Sequence, residues 1–120
     1  MTSDAILYAG SVVITLWGVA HVVPTAAIVS GFGAISQGNK RLITMEWIAE
    51  GLTLCFIGAL VFTTTAATDS RAAVWVSAAM LLVMAALTAL TGARTSILPV
   101  KVYPFVKTGV AVLFILGAAL

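Results

Sequence analysis

From Ala72 to Thr91 the chain reads AAVWVSAAMLLVMAALTALT, twenty consecutive residues without a formal charge. At a rise of about 1.5 Å per residue this run makes a helix roughly 30 Å long, matching the hydrocarbon thickness of a bilayer. Ala78, Ala85, Ala89 and Ala93 would give that helix a surface small enough for a neighbour to approach closely. Similar runs lie at about 5–28, 42–65 and 100–120, so four spans fill the 120 residues and leave no room for an extramembrane domain. The predicted fold is all-α, a polytopic membrane four-helix bundle forming a single domain over 1–120.

Composition agrees with this reading. Hydrophobic residues make up 62% of the chain and charged residues 8%, against roughly 25% charged in soluble domains, so there is too little polar surface to clothe a water-soluble globule. The mean hydropathy is +1.17. A net charge of +2 comes from six dispersed cations, not from the clustered basic surface that nucleic acid requires, and nucleic acid is excluded as a partner. One cysteine, Cys55, allows neither an intrachain disulfide nor a CxxC redox pair. Asp4 stands before the first apolar run with no Lys or Arg, so that run is read as a retained span and not as a cleaved signal peptide.

The connections after spans one and three carry Lys40, Arg41, Arg94 and Lys101, whereas the other side has Arg71 with Asp4 and Asp69. By the positive-inside rule the basic connections are cytoplasmic and both termini are outside, in a multi-pass protein of the cell membrane. The glycine pairs Gly10 and Gly18, Gly51 and Gly58, and Gly109 and Gly117 read as sites of close helix packing.

Topology makes the few ionisable groups informative. His21 lies seven residues before Ile28, Glu50 eight after Leu42, and Lys107 seven after Val100, which puts all three about 10 to 12 Å inside one membrane face. A carboxylate there costs about 2 to 3 kcal/mol on insertion scales, so Glu50 needs a counter-ion or a proton. Glu46 and Glu50 share a helix side, continued by Thr53 and Ile57, and two like charges so close call for a cation, a metal or a proton between them. Pro24 cannot donate to the Ala20 carbonyl and should kink span one beside His21, with Trp17 as an apolar floor. The predicted site is a pocket with a polar mouth. Its catalytic candidates are His21, Glu46, Glu50, Arg94 and Lys107, and its substrate-binding candidates are Trp17, Trp47, Thr53 and Tyr103.

Each residue also has a structural reading. His21 can tie spans one and two together through Glu46 or Glu50. Arg94 and Lys101 can contact lipid headgroups, and Lys107 can either snorkel or pair with Glu50. Trp47 lies off the carboxylate stripe and reads as an interfacial tryptophan, while Tyr103 with Pro99 and Pro104 reads as the anchored start of span four. Cys55, Met45, Met80 and Met84 read as packing residues.

One histidine with two carboxylates has the ligand types of a non-haem metal site, but the set lacks a second histidine and faces competing cations, so no metal is assigned. A bis-histidine haem would need His21 from two chains. No cofactor is required by the sequence, although a quinone, a haem or a metal would each be compatible with it. Without one, a buried carboxyl and a histidine can exchange protons with a substrate, and Arg94 or Lys107 can stabilise an oxyanion. The expected partners are the lipid bilayer and a small lipophilic molecule such as a quinone, isoprenoid, sterol or epoxide, bound and converted by acid–base or redox chemistry as in an oxidoreductase or isomerase. The alternatives are a membrane subunit or scaffold of a redox enzyme, a homo-oligomer, and a proton-coupled transporter.

Leu16-Trp-Gly-Val-Ala-His21, then Pro24, then Glu46-Trp-Ile-Ala-Glu50-Gly resembles the DoxX-like group of small four-helix membrane proteins. The resemblance implies a four-helix bundle, sometimes a membrane partner of redox enzymes such as a thiosulfate-to-quinone oxidoreductase. Glu50 would match the helix-two glutamate and His21 the polar position late in helix one. The runs Thr44 to Trp47 and Gly92 to Thr95 have no counterpart in that pattern.

Overall fold

The computed structural model describes residues 2–94 and 98–120, without the side chains of Ala93, Leu98 and Pro99, so the roles read for Ala93 and Pro99 lie outside the described residues. It contains helices α1 (Ser3–Val22), α2 (Thr25–Ser30), α3 (Gln37–Ala67), α4 (Ala72–Leu90) and α5 (Leu98–Ala119), with a short 3-10 turn at Gly92–Arg94. Among the described residues there is no strand. Four of the helices, all but α2, are long and apolar enough to cross a membrane. Leu16, Phe56, Val76, Val83 and Phe105 all lie exposed on their outer faces, a pattern that suits a hydrocarbon solvent and not water.

The boundaries differ from the sequence reading where local chemistry intervenes. Span one, expected to run to Ile28, is divided: Pro24 cannot continue the hydrogen-bond ladder, so α1 stops at Val22 and α2 restarts at Thr25. The second long helix begins five residues before Leu42, because Ser36 caps it by accepting from the Asn39 N–H at 3.1 Å. The connection is therefore only 31–36, turned at Gly33 with φ of 76°, a conformation that favours glycine. Pro104 does not start α5 but lies inside it, leaving the Val100 carbonyl without its helical donor.

The bundle is two helix pairs joined through a shared core. α1 lies along α3, α4 lies along α5, and α1 also packs on α5, whereas α3 and α4 barely touch. Leu7, Ile14, Leu54, Ile57, Val61, Leu81, Val110 and Phe114 form the centre. Close approach depends on glycine. Gly18 and Gly51 bring the α1 and α3 backbones together, Gly58 sits under Ser11 and Thr15, Gly10 faces the Phe114 ring, and Gly117 faces Leu7. Gly109, grouped with these by spacing, has open space around it. Of the alanine stripe, Ala78 and Ala85 are buried but Ala89 is exposed. At one end Arg71 clasps Asp4 at 2.5 Å, tying the starts of α4 and α1. The Lys107–Glu50 pair and His21 lie toward the other end.

Candidate functional site

Lys107 of α5 has a fully buried side chain and is the largest of the fully buried residues. Its ammonium donates to Glu50 Oε1 of α3 and to Thr88 Oγ1 of α4, the latter at 2.8 Å, so three helices meet at one nitrogen. The snorkelling alternative is thereby overturned, because both partners lie inward. The other carboxylate oxygen of Glu50 lies 3.5 Å from His21 Nε2. Neither imidazole nitrogen makes a hydrogen bond among the described residues.

His21 is held instead by its ring. Trp47 stacks on it at 4.0 Å between centroids and 15° between planes, and Tyr103 lies 5.0 Å away. The break at Pro24 explains the next contact. With α1 ended, the His21 carbonyl has no helical donor and accepts the Trp47 indole N–H at 2.6 Å, while Thr25 covers the Val22 carbonyl at 2.5 Å. The acceptor that the sequence placed at Ala20 is used one residue later, and Trp47 is an inter-helix strut, not an interfacial anchor. Tyr103 is likewise buried, edge-on to Trp17 at 5.4 Å and beneath Lys107 at 5.6 Å.

An imidazole held by stacking has a testable signature. Phenylalanine preserves the stacked shape and removes two unsatisfied buried nitrogens. His21→Phe should therefore leave thermal stability in detergent unchanged or raised, whereas His21→Ala should lower it by about 2 kcal/mol or more through the cavity left behind. Equal losses in both variants would show that the nitrogens hold the fold.

Where α3 and α4 part, a cleft of about 500 Å³ opens, lined by Glu46, Glu50 and Thr53 from α3, Met80, Met84 and Thr88 from α4, and Trp47 and Tyr103. The helical stripe Glu46, Glu50, Thr53 thus forms one wall, as its spacing implied. A smaller recess of about 270 Å³ lies on the other side of Tyr103, between Trp17, His21, Pro24 and Ile28. The Trp17 indole N–H is buried and makes no hydrogen bond among the described residues.

Not every expected residue joins the cluster. Glu46 is exposed and reaches only the cleft wall, and Arg94 is exposed with no ion pair among the described residues. Arg94 follows the end of α4 in a 3-10 turn, so it leaves the helical face that would have aimed it inward. Sequence reasoning missed Thr88, Met80 and Met84 as site residues. Thr88 had a signal: it is a polar residue three positions before the end of a charge-free span, on the membrane face to which Glu50 and Lys107 belong.

Among the described residues no three His, Cys, Asp or Glu side chains are grouped to hold a metal ion. Lys107 occupies the place on Glu50 that a cation would take. A haem shared between two copies of His21 does not fit either, because that ring is buried under Trp47 and Tyr103. No protein-family model, curated protein or solved structure matches the chain.

Proposed function

We propose that the chain is a multi-pass membrane protein that binds a small lipophilic molecule in the cleft between α3, α4 and α5, with Glu50 as its polar contact. One observation carries this reading: Lys107 is completely buried, yet the Glu50 side chain paired with it stays 28% exposed and lines an otherwise largely apolar cleft. Lys107 balances the carboxylate charge from the buried side, while the open side of Glu50 is left facing the cleft. An open carboxylate beside apolar walls is the layout of a ligand site, a few polar groups fixing orientation within a hydrophobic recess.

Glu50 is also the group placed to exchange a proton with a bound molecule, with Lys107 fixing its carboxylate and His21 next to it. Acid–base conversion of the ligand would begin there. The oxyanion role considered for Arg94 or Lys107 is not part of this proposal, because Arg94 does not line the cleft and Lys107 is covered by Glu50 and Thr88. In this reading the end bearing Lys40, Arg41, Arg94 and Lys101 faces the cytoplasm. The same proposal groups the chain with the DoxX-like proteins, on the strength of Leu16 to His21, Pro24 and Glu46 to Gly51 alone.

The test is to purify the protein in lipid nanodiscs, extract with organic solvent and identify what is enriched over bulk lipid by mass spectrometry. Wild type should carry a defined lipophilic compound in stoichiometric amount. Met80→Trp should lose it while keeping its helical content, since Met80 lines the cleft from a 44% exposed position that can accept a larger ring. Identical lipid profiles for both proteins would contradict the reading.

A further inference from the structure

The hydrogen-bonding side chains of the cleft wall are almost all acceptors. The Thr53 hydroxyl donates to the Ala49 carbonyl at 2.8 Å, Thr88 to Met84 at 2.8 Å, and Thr91 to Leu87 at 2.6 Å. Each hydroxyl has one proton, so each is left with lone pairs only. Trp47 has already committed its single N–H to the His21 carbonyl. Lys107 is turned toward Glu50 and Thr88 and is fully buried. The Tyr103 hydroxyl makes no hydrogen bond among the described residues, and it can accept as well as donate. A ligand entering the cleft therefore meets the oxygens of Glu46, Glu50, Thr53 and Thr91.

Charge points the same way. Two carboxylates line the cleft, the buried ammonium of Lys107 behind them neutralises one, and among the described residues no cationic side chain lines it. Trp47 and Tyr103 add aromatic surface, which attracts cations, and Met80 and Met84 add polarisable apolar surface. A ligand with acceptors only, such as a ketone or an epoxide, would leave these oxygens unsatisfied, and a carboxylate would be repelled. An alcohol supplies one donor. A protonated amine supplies up to three donors and the missing positive charge.

We propose that the cleft selects a lipophilic amine, its ammonium seated against Glu50 and Glu46 and its apolar body between Met80, Met84 and Leu87. This rests on the reading of the cleft as a ligand site and adds the chemical class of the ligand. The test uses three probes that share one apolar body, naphthylethylamine, naphthylethanol and naphthylacetate, titrated at neutral pH into the full chain in phosphatidylcholine nanodiscs, with empty nanodiscs subtracted.

The amine should bind at least about tenfold more tightly than the alcohol, equivalent to about 1.4 kcal/mol, and the acetate more weakly than either. Glu46→Gln, at an exposed position, removes one carboxylate charge and keeps an acceptor oxygen, so it should weaken the amine severalfold more than the alcohol and narrow the gap between them. Alcohol or acetate binding as tight as the amine, or equal losses for amine and alcohol in Glu46→Gln, would overturn the amine assignment while leaving the cleft as a ligand site. Binding of none of the three above empty nanodiscs would overturn the ligand site and the amine assignment together.

Discussion

Glu50→Ala should destabilise the protein by about 3 kcal/mol, and a second substitution, Lys107→Met, should restore most of that loss. Removing the carboxylate leaves the ammonium fully buried, with the Thr88 hydroxyl as its one hydrogen-bond partner among the described residues and the Tyr103 ring face beside it, and an uncompensated buried charge typically costs about 3 to 5 kcal/mol. The lower figure applies because Glu50 is partly exposed and Thr88 remains. Methionine has a similar length and no charge, so the double variant converts the defect into apolar packing. The measurement is unfolding in mixed micelles for the two single variants and the double variant. Additive losses would mean that Lys107 and Glu50 do not depend on each other.

That dependence was only partly legible in the chain. Counting residues from the span boundaries places His21, Glu50 and Lys107 at one depth, and the structure brings all three together. Depth, however, says nothing about the direction in which a residue faces. Arg94 belongs to the right membrane face, but it follows the end of α4 and is exposed. Trp47, one residue off the Glu46 and Glu50 stripe, is rotated by about 100° from Glu46. That rotation turns it toward α1, whereas the sequence reading offered it as an interfacial or a substrate-binding tryptophan. The bundle itself could be read from charge-free run lengths alone. The cleft could not, since it arises because α3 and α4 each prefer another partner, and pairing preferences of nearly uniform apolar helices leave little trace in one sequence.

The second large effect concerns that pairing. A Cβ on Gly18 would lie 2.7 Å from the Gly51 carbonyl oxygen and 2.9 Å from the Cys55 backbone nitrogen. Backbone atoms of a facing helix cannot rotate away as a side chain does, so Gly18→Ala must push α1 from α3. Overpacking of this kind costs about 1 to 3 kcal/mol, and one turn further along it would loosen the Trp47 contact with the His21 carbonyl. The expected result is a clear loss of thermal stability together with a changed Trp fluorescence spectrum. Gly109→Ala is the control with the opposite sign. Its Cβ would meet nothing within 4 Å, and alanine in an open helical position gains about 0.5 to 1 kcal/mol over glycine. A loss at Gly109 matching that at Gly18 would refute the assignment of the α1–α3 crossing to glycine.

The structure rests its polar end on a lysine and a glutamate that meet beside an apolar cleft. Both residue types are scarce here, with Lys40, Lys101 and Lys107 as the lysines and Glu46 and Glu50 as the glutamates. Labelling lysine side-chain nitrogen and glutamate carboxyl carbon therefore allows a solid-state NMR dipolar measurement in bilayers. Strong coupling should appear, corresponding to a nitrogen–carbon separation of about 4 Å or less as an ion pair requires, and it should vanish in Lys107→Met. No coupling in wild type, or a coupling that survives Lys107→Met, would contradict the account.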